Sequence, residues 1–437
     1  MIETPSPGEG PRVDADDSGG RRTLWLSTKD VRVGVVPSLG GRVLSLVTPA
    51  GEHLFRNADL LDEALHPVGK VTEGADDPAR TLGSWTNWGG DKTWPAPQGW
   101  SGPGEWPGPP DRVLDGGPYT ARWASESTRA WTEMRSADDA RTGLSVERKV
   151  EVTAGKSGYR LTSTFTNVSE RVVRWAIWHV VQLPGIRPPL MGLDARHGVW
   201  VGTEPVLGTA VRDLIAGTGR LHVDQGAVHA AWVPPQDVVG KLGFAGATGW
   251  VAHAGAGRVT ALRFAPEPGA PYPDGGSKVE VWLEYPLDEP LGQLGGLWPR
   301  HRVVECEVLG PLRTMPPGSS TQLVTDVLGC SGEGPVTDVQ EAACVLEPLV
   351  AVPGPSGVSL TGKIGAFLSR PVTVGFVDRG GAPLGEVHLG SAATGTSFSI
   401  RATAAVPGAT ASVVLRLGTS VVARAPVGRR VECGGEA

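Results

Sequence analysis

Glu305 and Glu307, in the stretch VVECEVLGP of this 437-residue chain, are spaced as paired carboxylates for acid–base work would be. Alternate side chains of an extended strand point to opposite faces, so the two glutamates share one face while Val304, Cys306 and Val308 take the other. With valines marking the core side, the glutamates face a cleft or solvent. If both line a cleft, their mutual repulsion raises the pKa of one of them, which suits a general base. Glu280 and Glu284, in KVEVWLEYP, alternate around Trp282 and are further candidates for the base. The bland alternative for Glu305 and Glu307 is a pair of solvated strand carboxylates.

The run SWTNWGGDKTWPAPQGWSGPGEW carries five of the fifteen tryptophans, Trp85 to Trp106. Glycines and prolines separate the rings, so they do not form one helical stripe. Asp91, Lys92 and Gln98 sit between them, and GPPDRVLDGGPYT adds Asp111, Asp115 and Tyr119. Indoles combine a large apolar face with one N–H donor. Beside carboxylate, ammonium and amide groups, such faces suit a saccharide, which offers apolar C–H faces and a rim of hydroxyls. The competing expectation is a loop-borne core capping one end of a sheet.

The elements that must position these groups read as strands. Glycine (62) and proline (38) mark frequent turns, while 40% hydrophobic residues support a packed core. Short Val/Leu/Trp-rich runs follow one another without amphipathic helices between them. That pattern predicts an all-β protein, a large antiparallel β-supersandwich with a smaller C-terminal β-sandwich-like region. The expected divisions are a disordered charged lead-in over 1–22, the large sandwich over 23–330, a linker over 331–344 and the small region over 345–432. DLLDEALHPVGK is expected as a short helix or an irregular loop. The strands on either side of Asn167 read as a hairpin, and Asp274 before two glycines reads as a type I′-like turn without a role in a site.

A formal charge of −6 with no long basic run gives little support for nucleic-acid binding. No apolar stretch is long enough to span a membrane and no leader is evident, which predicts a cytosolic location. Cys306, Cys330, Cys344 and Cys433 lack metal-ligand spacing and are expected as thiols, a Cys330–Cys344 bridge being the alternative. His197 and His229 lie near tryptophans but without a cluster of metal ligands, so no metal is expected. No nucleophile elbow, Walker loop or dinucleotide fingerprint is present, and no cofactor is called for.

Three segments together resemble the galactose mutarotase (aldose 1-epimerase) superfamily over roughly residues 24 to 330. VVPSLGGRVLSLVTPAGEHLF resembles its opening hairpin, and TFTNVSERVVRWAIWHVVQL its strand–Asn-turn–strand unit ending in a histidine. RVVECEVLGPLRTMPPGSSTQLVTDV resembles its late Glu-bearing strand. The WPAPQ stretch is similar to the loop of a bacterial branch with the pattern GG-x-K-x-WPAPQ. The resemblance implies an acid at His179 and a base at Glu307, which would open and reclose a sugar ring by proton transfer. It also implies substrate contacts from Arg42, Lys92, Trp94, Gln98, Trp106, Asp111 and Tyr119. Arg42 and Lys92 together would recognise a carboxylate or phosphate, the bland alternative for Arg42 being a surface salt bridge. WHVVQL departs from the family in lacking the aromatic pair after the histidine. The expected function is therefore a carbohydrate-binding, mutarotase-like protein acting as an aldose-epimerase-type isomerase. The alternatives are sugar binding without turnover and a lyase or glycoside hydrolase on the same scaffold.

Overall fold

In a computed structural model the described residues are 10–69, 81–99, 102, 104–189, 194–204, 211–224 and 230–428. The architecture is all-β and antiparallel. A twelve-stranded sheet faces a nine-stranded one, and two four-stranded sheets follow in the C-terminal part. In the large sheet five neighbours matter most, in the order Asp91–Ala96, Val173–Pro184, Val303–Leu309, Val279–Glu284 and Gly240–Phe244. Every residue of the Asp91–Ala96, Val279–Glu284 and Val303–Leu309 strands is buried, so both faces of this part of the sheet are covered.

The inward face presents Ile177, Val181, Leu183, Val304, Cys306, Val308, Val279, Val281, Leu242 and Phe244 to the main core. The register fixes the other face. Val180 pairs with Glu307, Gln182 with Glu305, Glu280 with Glu307 and Lys241 with Trp282, and paired residues point the same way. Gly89 and Gly90 (φ 92° and 73°) turn the chain into the Asp91–Ala96 strand. A Cβ at Gly90 would lie 2.2 Å from the Val43 carbonyl oxygen, so the approach to the Arg42–Thr48 strand excludes larger residues.

Two expectations need correction. Arg12–Asp16, inside the expected lead-in, is the edge strand of the large sheet and pairs with Thr23–Ser27. Val13 packs on the core while charged neighbours face outward, which is how an edge strand avoids further pairing. The strands flanking Asn167 do not form a hairpin. Gly158–Asn167 belongs to the nine-stranded sheet and Val173–Pro184 to the large one, so the chain crosses between sheets there. The Asn167 amide still performs the turn chemistry, donating to the carbonyls of Arg171 (2.7 Å) and Met315 (2.9 Å). Residues 58–69 form irregular turns, the second of the two forms expected there.

The C-terminal sheets have their own core around Leu360, Ile364, Val372, Phe376 and Leu415. A second cluster, including Trp200, Trp250, Cys330, Cys344 and Phe367, joins them to the nine-stranded sheet. The Cys330 and Cys344 sulfurs are buried thiols 3.8 Å apart.

Candidate functional site

On the outward face of the large sheet lies a cleft of about 350 Å³. Its walls are the rings of Trp85, Trp94, Trp178 and Trp282, and its floor holds Lys241, Glu280, Glu284 and Glu305. Leu82, Leu214, Ile215 and the turn Gln293–Leu297 close the sides, with Gln98, Pro109 and Asp274 at the margin. The indoles form a contiguous surface. Trp94 lies 6.0 Å from Trp85, 5.3 Å from Trp178 and 5.2 Å from the fully buried Trp106, centroid to centroid. Such tilted and edge-on pairs are favourable ring geometries.

Two lysines sit among these carboxylates. Lys92 Nζ lies 3.0 Å from Glu305 Oε1 and 4.7 Å from the centre of the Trp94 ring. The Gln182 amide also donates to Glu305 Oε1, at 2.6 Å. Lys241 Nζ contacts Glu280 Oε2 at 2.6 Å and Glu307 Oε2 at 2.9 Å, with the Trp178 ring centre 4.1 Å away. Trp178 Nε1 donates to Glu307 Oε2 at 2.6 Å, and Trp282 Nε1 to Glu284 Oε1 at 2.9 Å.

Burial controls the protonation of these groups. It pushes the Glu280 and Glu307 carboxyls above the usual range even though Lys241 pulls them down. Burial also works against the charge of Lys241, but its two glutamates outweigh that and hold the ammonium protonated. One cation facing two carboxyls leaves either a surplus negative charge or a retained proton. Burial, aided by repulsion from Glu305, raises the Glu284 carboxyl to about 7, within reach of neutral pH. Lys92 is lowered, first by burial.

The structure brings Trp94 into the cleft wall, Gln98 to its margin, Glu305, Glu280 and Glu284 into its floor, and Lys92 beneath it. Glu307 is fully buried just below the lining, behind Lys241 and Trp178. The other expected contacts form the layer behind. Arg42 is fully buried, ion-paired with Asp115, and donates to the Gly89 carbonyl at 3.3 Å. Asp115 in turn accepts the indole N–H of Trp85 (2.9 Å) and of Trp94 (3.2 Å). Trp106 is core, its N–H bound to Asp111 at 3.1 Å. Asp111 spends its other oxygen on the backbone N–H groups of Val113 and Leu114. The Tyr119 hydroxyl donates to the Leu114 carbonyl at 3.1 Å. Arg42, Trp106, Asp111 and Tyr119 thus hold the wall and do not line the cleft. Trp100, in the same run, and His229 lie outside the described residues.

His179 is the main correction. It pairs with Val308 and Thr93, which puts its ring on the inward face, opposite to Glu307. There its Nε2 lies 2.9 Å from Asp91 Oδ2, and Asp91 is also ion-paired with Arg148 and hydrogen-bonded by the Tyr159 hydroxyl. His179, Asp91 and Arg148 are all fully buried. Burial pushes the Asp91 carboxyl up, but His179 and Arg148 outweigh it and hold it low. This is a polar tie between the two sheets, and the sheet itself separates it from the cleft.

Asp274 corrects the turn reading in one respect. The turn is present, with Asp274 at φ 51° and Gly275 at φ 74°, yet it delivers the Asp274 carboxyl to the cleft margin beside Glu280. Lys241 and Trp178 are the cleft residues that the sequence did not single out. Lys241 is disguised by a glycine-rich strand and Trp178 by its place next to the histidine. Among the described residues no cluster of three or more His, Cys, Asp or Glu is arranged to hold a metal ion.

A family model described as "Domain of unknown function (DUF4380)" matches residues 22–325. No curated protein matches the chain. Among solved structures it is similar to a TPR-domain containing protein from Parabacteroides distasonis ATCC 8503 (14% identity, TM-score 0.47, 71% of this chain). It spans about half of that protein's length, 47%. It is also similar to a galactose mutarotase-like protein from Lactobacillus casei ATCC 334 (11% identity, TM-score 0.42, 70% of this chain and 99% of that one). A galactose mutarotase-like protein from Clostridium acetobutylicum is a third such structure (10% identity, TM-score 0.42, 74% and 99%).

Proposed function

The chain belongs to the DUF4380 family, and from that premise we propose that it binds a saccharide in the cleft on the outward face of its large sheet. One observation carries this reading: four indole rings wall a cleft of about 350 Å³ whose floor is a row of buried carboxyls. Aromatic faces accept the apolar faces of a pyranose, and carboxylate oxygens accept its hydroxyl protons. Glu280 Oε1 and Glu307 Oε1 are buried and find no N–H or hydroxyl donor among the described residues. Buried acceptors without donors cost free energy, and ligand hydroxyls would relieve Glu280, which lines the cleft directly. The mutarotase-like segments of the sequence fit the same reading.

Calorimetric titration with a panel of mono- and oligosaccharides tests it. Saturable binding is expected, weakened roughly 5- to 30-fold in Trp282→Ala, since a stacked ring contributes on the order of 1–2 kcal/mol. Failure of every saccharide to bind would overturn the proposal.

Acid–base turnover is a second reading, supported by the Glu284 carboxyl near 7 and by the two carboxyls sharing Lys241. Opening a sugar ring at the anomeric carbon needs one group to take the hydroxyl proton and another to protonate the ring oxygen. An ionised and a protonated carboxyl on one floor supply both, with Glu280 and Glu284 facing the ligand and Glu307 one layer deeper. His179 is not assigned a part. Exchange spectroscopy of the two anomers decides between turnover and binding alone: acceleration by wild type that is lost in Glu280→Gln supports turnover. No acceleration for any bound sugar leaves binding alone.

A further inference from the structure

Resting on the saccharide reading, we infer that the cleft takes an amino sugar, with the ligand's ammonium group filling the uncompensated acidic floor. Five carboxyl groups surround the cleft or lie just beneath it: Asp274, Glu280, Glu284, Glu305 and Glu307. Two lysines oppose them, and both are spent. Lys92 is held by Glu305 at 3.0 Å, and Lys241 by Glu280 and Glu307 at 2.6 and 2.9 Å. Arg42, the remaining cation of this region expected to meet a ligand, is sealed behind the wall on Asp115. Among the described lining residues no cation is left for a phosphate or carboxylate, so an anionic sugar would meet carboxyl groups and no free partner of opposite charge in a desolvated site.

The surplus also has acceptor atoms waiting. Glu280 is 1% exposed and Glu307 0% exposed, and the Oε1 of each is without an N–H or hydroxyl donor, as is Gln182 Oε1 nearby. The Asp274 carboxyl beside Glu280 fills its acceptor only when it carries a proton itself. An ammonium brings three donors and no acceptor, which matches a floor short of donors better than a hydroxyl does. The walls already tolerate such a group. Lys241 Nζ sits 4.1 Å from the Trp178 ring centre and Lys92 Nζ 4.7 Å from that of Trp94, the attraction of a cation for an aromatic face. On a carboxylate an ammonium adds the attraction of opposite charges, which a neutral hydroxyl does not bring.

The test uses the wild-type chain. Titration calorimetry compares the gluco, galacto and manno series, each as the 2-amino sugar and the neutral parent, with glucuronate and galacturonate as the acids. At least one amino sugar is expected to bind about tenfold more tightly than its neutral parent, and the acids not measurably. In Glu280→Gln that preference should shrink several-fold. If neutral parents bind as well as the amines, or the acids bind best, the amino-sugar inference is overturned while the saccharide reading stands. If no sugar of any charge binds, the saccharide reading falls and this inference with it.

Discussion

Replacing His179 by alanine separates a structural from a catalytic histidine. The imidazole is fully buried, 2.9 Å from Asp91 Oδ2, in a cluster where Arg148 and Tyr159 hold the same carboxylate. Its loss removes a buried polar contact to Asp91 and leaves a cavity about the size of a ring. Arg148 still faces Asp91, so the penalty falls at the lower end of that for broken buried pairs, about 3 kcal/mol. The part that runs through Asp91 has a defined pH dependence. Its folded pKa lies below the ordinary 3.8, so its contribution is complete above 3.8 and is lost as pH falls through the lower folded value. The wild-type advantage should therefore be full at neutral pH and narrow in strong acid. Urea unfolding followed by tryptophan fluorescence measures the stability, and calorimetry and anomer-exchange spectroscopy measure sugar handling. We expect a drop of about 3 kcal/mol with sugar affinity within about threefold of wild type. A variant as stable as wild type but unable to bind or exchange sugar would refute the placement of His179 behind the sheet.

Glu284→Gln should stabilise the protein in alkali. The folded carboxyl is raised from 4.5 to about 7, so ionising it costs stability progressively as pH rises from 4.5 through 7. Unfolding across pH 4 to 9 should show variant and wild type converging below 4.5 and the variant ahead by about 3 kcal/mol above pH 8; equal curves throughout would exclude a buried, raised carboxyl. Asp115→Ala should cost about 3–5 kcal/mol because it strands the buried Arg42 guanidinium, and it should also weaken sugar binding by freeing the Trp85 and Trp94 indoles. Denaturation paired with calorimetry checks both effects, and unchanged affinity in a folded variant would show that these rings are not the binding wall. Gly90→Ala should prevent stable folding, since its Cβ would meet the Val43 carbonyl at 2.2 Å and φ is 73°; a soluble variant with native circular dichroism would contradict this.

Period-two alternation made the Glu305/Glu307 face legible, because valines and a cysteine on the other side mark the core. The same logic is silent on WAIWHVVQL. That strand is buried on both faces, so apolar residues flank His179 on either side and nothing in the pattern says which way the ring points. Similarity of segments therefore supplied a role that the register takes away. Lys241 was hidden for a different reason: KLGFAG has too many small residues to show a period, and its place opposite Trp282 exists only in the pairing of distant strands. Asn167 shows that turn chemistry is local while strand partnership is not. Its amide caps the turn as expected, yet the two strands it joins lie in different sheets. In the tryptophan run, spacing announced an aromatic surface, but only packing separates Trp85 and Trp94, which line the cleft, from Trp106, which supports them.

If a saccharide lies against the cleft indoles, the indole N–H resonances of ¹⁵N-tryptophan-labelled protein report on it directly. Titration with a bound sugar should shift the signals of Trp85, Trp94, Trp178 and Trp282, each assigned by single substitution. Trp25, Trp200 and Trp250, buried in other clusters, should stay in place. Shifts confined to tryptophans outside the cleft, or no shift at saturating sugar, would show that the sugar does not lie against these rings.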